Sequence, residues 1–295
     1  MCSKKTTKRM DNPDDTLLKR QIAYAGDVLH EFHELPGKYI GPLVNEYPNA
    51  DGGIPRVDAA YRIRLDGETY IVNLEDESVR IDKSVLVKID NYRLILEYFN
   101  GEAVISAIRT PLHLEKCQSV FEKSPTLCLR PWIISYSNLD GAKRLSTITS
   151  IINREETLTM VQAMNLVMIP KMFSKNQDQI LEKVCVLLRD CIVEDSDFKL
   201  ELTLQMRCVI HKYARTIEDI IRLEGVIGLQ KAMTAMEFQH QSLIKQGFDQ
   251  GVVQGVDQGK FEMALEIKEK RGIEEAVFLS GFSREELERG KMNDR

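Results

Sequence analysis

The sequence predicts a mixed α/β fold, a small sheet flanked by helices and followed by an all-helical C-terminal half. Three observations carry that expectation. An Asp66-Gly67 pair separates two apolar-rich, β-prone runs, a segment with helical spacing follows directly, and beyond Pro170 the chain has no proline and turns helical in period.

Residues 1–20 mix Lys4, Lys5, Lys8 and Arg9 with Asp11, Asp14 and Asp15, and are expected to form a disordered lead-in. Residues 21–140 hold the sheet core, opening on a helical run around Asp27 to Leu35. His30 and His33 in that run stand three apart. A His-Glu-x-x-His zinc motif needs them four apart on one face, so both read as surface residues of an amphipathic helix.

The hairpin runs out from Arg56 to Leu65 and returns from Thr69 to Glu77. Asp-Gly supplies the positive φ that a tight hairpin turn requires. Side chains alternate along a strand, so Glu75 and Glu77 share one face and Asp76 takes the other. Folding back at residues 66–67 brings Asp58 to the level of Glu75. Carboxylates gathered at a strand end repel one another, and a hard divalent cation is the usual compensation. Acidic residues at strand ends and turns are also commonly solvated, which would suit Asp66, Glu68 and Asp76. Asp58 and Glu75 stand apart because Val57, Ala59, Ala60, Ile71, Val72 and Leu74 surround them in sequence.

Lys83 to Tyr98 has helical spacing, with Val85, Leu86, Ile89, Tyr92, Leu96 and the following Phe99 on its apolar side. Ala103–Ile108 and Trp132–Tyr136 suit largely buried strands. In the helical part, residues 141–240, Thr159 and Gln162 form a capping box, Gln179–Ile192 is a helix, and Phe198–Leu223 reads as a single helix. Residues 241–262 repeat Gln-Gly at 246–247, 250–251, 254–255 and 258–259. Each glycine costs a helix about 1 kcal/mol relative to Ala, so this stripe is either a helix that pairs closely with another or a flexible tether; pairing is the expectation, giving a homo-oligomer through the C-terminal helices. Residues 263–295 form a last helical module, with Ser283 and Glu286 as a capping box. Its final helix is too short and acidic to read a DNA groove.

Net charge is −5, from 40 basic and 45 acidic residues, which argues against strong nonspecific attraction to DNA phosphates. No stretch approaches the roughly 20 apolar residues of a membrane span, and the charged N-terminus has no signal-peptide core. Six cysteines without a C-x-x-C pair suit reduced thiols in a cytoplasmic protein.

The hairpin with Asp58, Glu75 and Glu77, set between two helices, resembles the PD-(D/E)XK nuclease fold. Within that fold the chain is similar to the Rpn-type recombination-promoting nuclease and transposase family. The likeness rests on Leu35-Pro36-Gly37-Lys38-Tyr39, Arg56-Val57-Asp58, Asn73-Leu74-Glu75-Asp76-Glu77-Ser78, Lys88-Ile89-Asp90-Asn91-Tyr92-Arg93, the Gln-Gly repeat, and Ser280-Gly281-Phe282-Ser283-Arg284-Glu285-Glu286-Leu287. It implies a restriction-endonuclease-like sheet and hydrolysis of DNA phosphodiesters that depends on Mg²⁺ or Mn²⁺. Asp58 and Glu75 would be the metal ligands, joined by the backbone carbonyl of Asp76 and by an upstream glutamate, Glu31 ahead of Glu34. The third catalytic position holds Lys, or Gln in this branch, where this chain has Glu77. Glu77 would then add a metal ligand or mark a relative that no longer cuts and serves binding or assembly. The helix after the Glu strand also tends to bring a polar residue, here Lys88 or Tyr92.

Overall fold

Asp66 and Gly67 both take positive φ, 50° and 87°, as a type I′ turn requires, and its twist matches that of the strands it joins. The computed structural model describes residues 8–43, 57–124, 127–234 and parts of 261–289. Its strands are β1 (Lys38–Pro42), β2 (Ala59–Leu65), β3 (Glu68–Asp76), β4 (Val104–Thr110), β5 (Phe121–Ser124), β6 (Leu127–Leu129), β7 (Trp132–Ser135), β8 (Thr157–Leu158) and β9 (Ile192–Val193). The longer helices are α1 (Pro13–Phe32), α2 (Lys83–Asn100), α3 (Gly141–Asn153), α4 (Met160–Met168), α5 (Gln177–Asp190), α6 (Ser196–Tyr213) and α7 (Ile217–Val226), with the short α8 (Arg284–Arg289) near the C-terminus.

The main sheet has the order β1-β2-β3-β4-β7. The turn fixes the antiparallel register of β2 on β3, with Ala59 opposite Leu74. β3 and β4 run parallel, joined by the α2 crossover, and β7 pairs in parallel only with Ala107–Thr110 of β4. Asp82 starts α2 by accepting hydrogen bonds from the Ser84 and Val85 N–H groups (2.9 and 3.4 Å), and Gly101 ends it at φ 69°. The face of α2 that carries Leu86, Ile89 and Leu96 packs on Ile71 of β3 and Ile108 of β4. Phe99, expected on that face, is instead 45% exposed and stacks edge-on against the neighbouring Tyr98 ring.

The other sheet face is covered by α1, and here the sequence expectation needs correcting. The helix begins at Pro13, so residues 13–20 are not a disordered lead-in; Leu17 and Leu18 are fully buried. α1 also packs on α4 and α6, which buries it on two sides. Gln21 is inside with its amide toward Met168 Sδ (3.2 Å), and Arg20 makes a two-point pair with Glu201 (2.9 and 2.5 Å). The boundary expected near residue 140 is therefore bridged by α1, and residues 1–232 cluster as one unit. β1 reaches α1 closely because Gly26 has no side chain, and a Cβ there would land on the Tyr39 ring.

His30 and His33 are buried, not exposed. His30 bonds the Tyr61 hydroxyl (3.2 Å) and the Gly37 carbonyl (3.1 Å), and His33 Nε2 meets the Tyr136 hydroxyl (3.3 Å). Burial first, then the charges of Arg109, His30 and Lys171, holds the His33 imidazole well below its ordinary value. An unfolded histidine takes up a proton below about 6.5 while the folded one resists it. Stability from His33 is thus complete above that pH and lost as the pH falls below it. The stability advantage of wild type over His33→Leu is expected to shrink between pH 6.5 and 5, by up to about 1.4 kcal/mol per pH unit, measured by urea denaturation at both ends.

The capping box of α4 forms as expected: Gln162 N–H donates to Thr159 Oγ1 (3.2 Å) and Thr159 N–H to Gln162 Oε1 (3.0 Å). Thr159→Ala should cost about 1 kcal/mol in denaturant unfolding. The single helix expected over Phe198–Leu223 breaks after Tyr213. Ala214 is extended and Thr216 caps α7, accepting from the Asp219 N–H (3.1 Å). That local bond outcompetes continuation of the apolar period.

Residues 233–295 cluster as a second unit. In it Leu287 of α8 and Phe261 are buried together, and Ser283 and Glu286 form their capping box. The Gln-Gly repeat and its expected role in self-association lie outside the described residues. No described helix is long and apolar enough to cross a membrane.

Candidate functional site

The hairpin register sets Asp58, just before β2, beside Glu75 at the end of β3. Each is held by backbone near the other: Asp58 N–H donates to Glu75 Oε1 and Asp76 N–H donates to Asp58 Oδ2, both at 3.0 Å. Glu75 is fully buried, and its Oε2 has no hydrogen-bond partner. Lys88 Nζ, from the second turn of α2, lies 3.4 Å from that oxygen and hydrogen-bonds to Glu77 Oε1. Glu77 keeps its place beyond the strand end because its N–H donates to the Arg109 carbonyl (2.9 Å).

These contacts set the ionisation. Burial, then the Asp58 charge, pushes the Glu75 carboxyl up to about 8, against the opposing pull of the Asp58 N–H and Lys88. Burial also raises Asp58; the Asp76 N–H and Lys88 moderate it, and the charges of Asp76 and Asp15 add to it. Burial alone would lower the Lys88 ammonium, but its bond to Glu77 and the charges of Glu75, Glu77 and Asp58 hold it above its ordinary value. Lys88 Nζ also stands 5.9 Å over the Tyr92 ring, and the Tyr92 hydroxyl is raised by burial and by Glu75.

Strand alternation sends Asp76 to the opposite face. It is gripped there by Arg109 through Nε (2.6 Å) and Nη2 (2.5 Å), while Arg109 Nη1 donates to Gln21 Oε1 (2.8 Å). Asp76 is thus an ion-paired clamp and not simply solvated surface. The structure brings together Asp58, Glu75, Glu77 and Lys88, with Tyr92 at the rim. It does not bring in Glu31, which is exposed on α1. The α1 charge that reaches Asp58 is Asp15, and Glu31 is sixteen residues further on, beyond the kink that non-helical backbone at Ala25 puts into the helix. Glu34 is exposed in the turn after the helix, at φ 55°.

Among the described residues no group of three or more His, Cys, Asp or Glu side chains is arranged to hold a metal ion. The donor set here is two carboxylates, one with a buried oxygen lacking a hydrogen bond. That set fits Mg²⁺, which takes one or two protein carboxylates and keeps several waters, and does not fit the closed four-ligand shell of structural zinc.

Sequence reasoning missed the roles of Arg109 and Asp15. Arg109 had a readable signal, since a guanidinium within the apolar run Ala107-Ile108-Arg109 must find a partner inside the protein. Asp15 had none. Lys88 was a candidate only through the resemblance, which expects a polar residue from the helix after the Glu strand, and its reach to both Glu75 and Glu77 was not legible. The chain matches no family model, no curated protein and no solved structure.

Proposed function

We propose that the protein is a Mg²⁺-dependent nuclease that hydrolyses DNA phosphodiesters, of the kind associated with recombination and transposition. One observation carries the reading: Asp58, Glu75 and Lys88 converge at the end of β3, with Glu75 buried, short of one hydrogen bond and raised to about 8. A buried carboxylate so poised suits a group that meets a cation, because desolvation is then offset by the ion. Asp58 and Glu75 would hold Mg²⁺, with the Asp76 carbonyl as a further oxygen. The bound ion supplies positive charge that acidifies water and offsets charge on the phosphate.

The remaining roles belong to the chain's own side chains. Glu77 cannot provide the positive charge of the usual lysine, and Lys88 brings an ammonium to the same place from α2. Lys88 is then the group that faces a phosphate oxygen and orients the attacking water. Glu77 holds the ammonium in position and is not needed as a metal ligand. The Arg109 grip on Asp76 fixes the strand end whose N–H orients Asp58.

Plasmid nicking with Mg²⁺ or Mn²⁺ tests this. Asp58→Ala and Glu75→Ala should abolish cutting, and Lys88→Met should reduce it by about 10²-fold, the scale of losing one charged donor at a reacting oxyanion. Glu77→Gln keeps an acceptor for Lys88 and should change the rate only a few-fold; a collapse would make Glu77 a metal ligand. Equal nicking by wild type and both alanine variants would trace the activity to a contaminant. A second reading, a nuclease-fold protein serving binding or assembly, draws on the engagement of Lys88 by Glu77 and Glu75 at once. Wild type that binds DNA and cuts with neither ion would favour it.

A further inference from the structure

We propose that the cavity at the open edge of β4 binds a small phosphate-bearing ligand of about mononucleotide size, at a site separate from Asp58 and Glu75. β7 covers β4 only from Ala107 onward, so the segment Val104–Ser106 is left as the wall of a cavity of about 420 Å³, between the C-terminal half of α2 and the β5–β6 hairpin. That volume lies within the range of small-molecule sites, roughly 300–1,000 Å³.

The lining points to an anion. Arg93, Lys123 and Arg130 face it against Asp90 and Glu97, three cations to two carboxylates, in a chain whose net charge is −5. Asp90 and Glu97 are already engaged: Arg93 bonds both, at 3.0 and 2.7 Å, and Lys123 bonds Asp90 at 3.1 Å. These pairs hold two cations in place and leave Arg130, exposed at the rim and without an ion pair among the described residues, as the surplus charge. Ser106 is 5% exposed, lines the cavity, and its hydroxyl has no hydrogen-bond partner. A buried hydroxyl donor, a planar guanidinium fork and a half-buried Phe121 are the parts that recognise a phosphoryl group attached to a flat organic body.

Calorimetric titration of the full chain in EDTA, with inorganic phosphate, AMP, adenosine and succinate, tests the site. Phosphate and AMP should bind, AMP more tightly, with adenosine and succinate at least tenfold weaker than AMP. Arg130→Ala should weaken AMP at least tenfold. Ser106→Ala should weaken it several-fold while leaving the unliganded Tm unchanged or higher, since it removes an unpaired buried hydroxyl. Asp58→Ala should bind AMP as wild type does, which separates this cavity from the carboxylate site whether or not that site cuts DNA. Adenosine or succinate binding as well as AMP, wild-type affinity in Arg130→Ala, loss of affinity in Asp58→Ala, or no binding at all would each overturn the proposal.

Discussion

Glu75→Gln is expected to make the metal-free protein more stable at pH 8 by about 2–4 kcal/mol, and by far less at pH 5. The wild-type carboxyl goes from an ordinary 4.5 in the unfolded chain to about 8 in the folded one. A raised value means that the folded state prefers the neutral acid. The stability attached to that preference is complete below 4.5 and is lost as the pH climbs toward 8, at up to about 1.4 kcal/mol per unit. Glutamine still accepts the Asp58 N–H but never ionises, so it escapes the loss. Mg²⁺ should reverse the comparison, stabilising wild type and not the variant, because a divalent ion adds to the partial compensation that the Lys88 ammonium, 3.4 Å from the buried oxygen, supplies alone. Denaturant midpoints at pH 5 and 8, in EDTA and in Mg²⁺, give four numbers per protein. A wild-type–variant difference that is the same at both pH values would remove Glu75 as a buried, repelled charge, and the cation site with it.

What the sequence revealed and what it hid follow from the range of each interaction. The Asp66-Gly67 turn was legible because positive φ is a demand made within two residues. It fixed the register that puts Asp58 against Glu75. α2 was legible through its period, and the face split of Glu75 and Asp76 through strand alternation. Asp14 and Asp15 looked like part of a charged lead-in because nothing near them in sequence says otherwise. Asp14 is in fact held by Lys171 (2.9 Å) and Lys212 (2.7 Å), from more than 150 residues downstream, and is lowered to about 2 despite its burial. The choice of Glu31 failed for a related reason: helical spacing gives the faces of α1 but not where along its length it crosses the sheet. His30 and His33 were misplaced because α1 is covered on two sides, which makes a one-face periodicity a poor guide to burial.

The Arg109 clamp sets the second large expectation. Arg109→Met should destabilise the protein by about 3–5 kcal/mol, the range for removing one partner of a buried ion pair. The side chain is 1% exposed and supplies three hydrogen bonds, two to Asp76 and one to Gln21. Methionine fills much of the same volume, so the loss is mainly electrostatic. It leaves a partly buried carboxylate uncompensated and the Gln21 oxygen without its donor. If that is the cause, Asp76→Asn in the Arg109→Met background should recover part of the loss, because the stranded charge is gone. Asp76 N–H also orients Asp58, so nicking by Arg109→Met should fall at a temperature where the variant is still folded, and the double variant should regain stability without regaining full activity. A stability within 1 kcal/mol of wild type would mean that water or another cation reaches Asp76 in place of Arg109, and the strand end would then owe its position to the β3–β4 ladder alone.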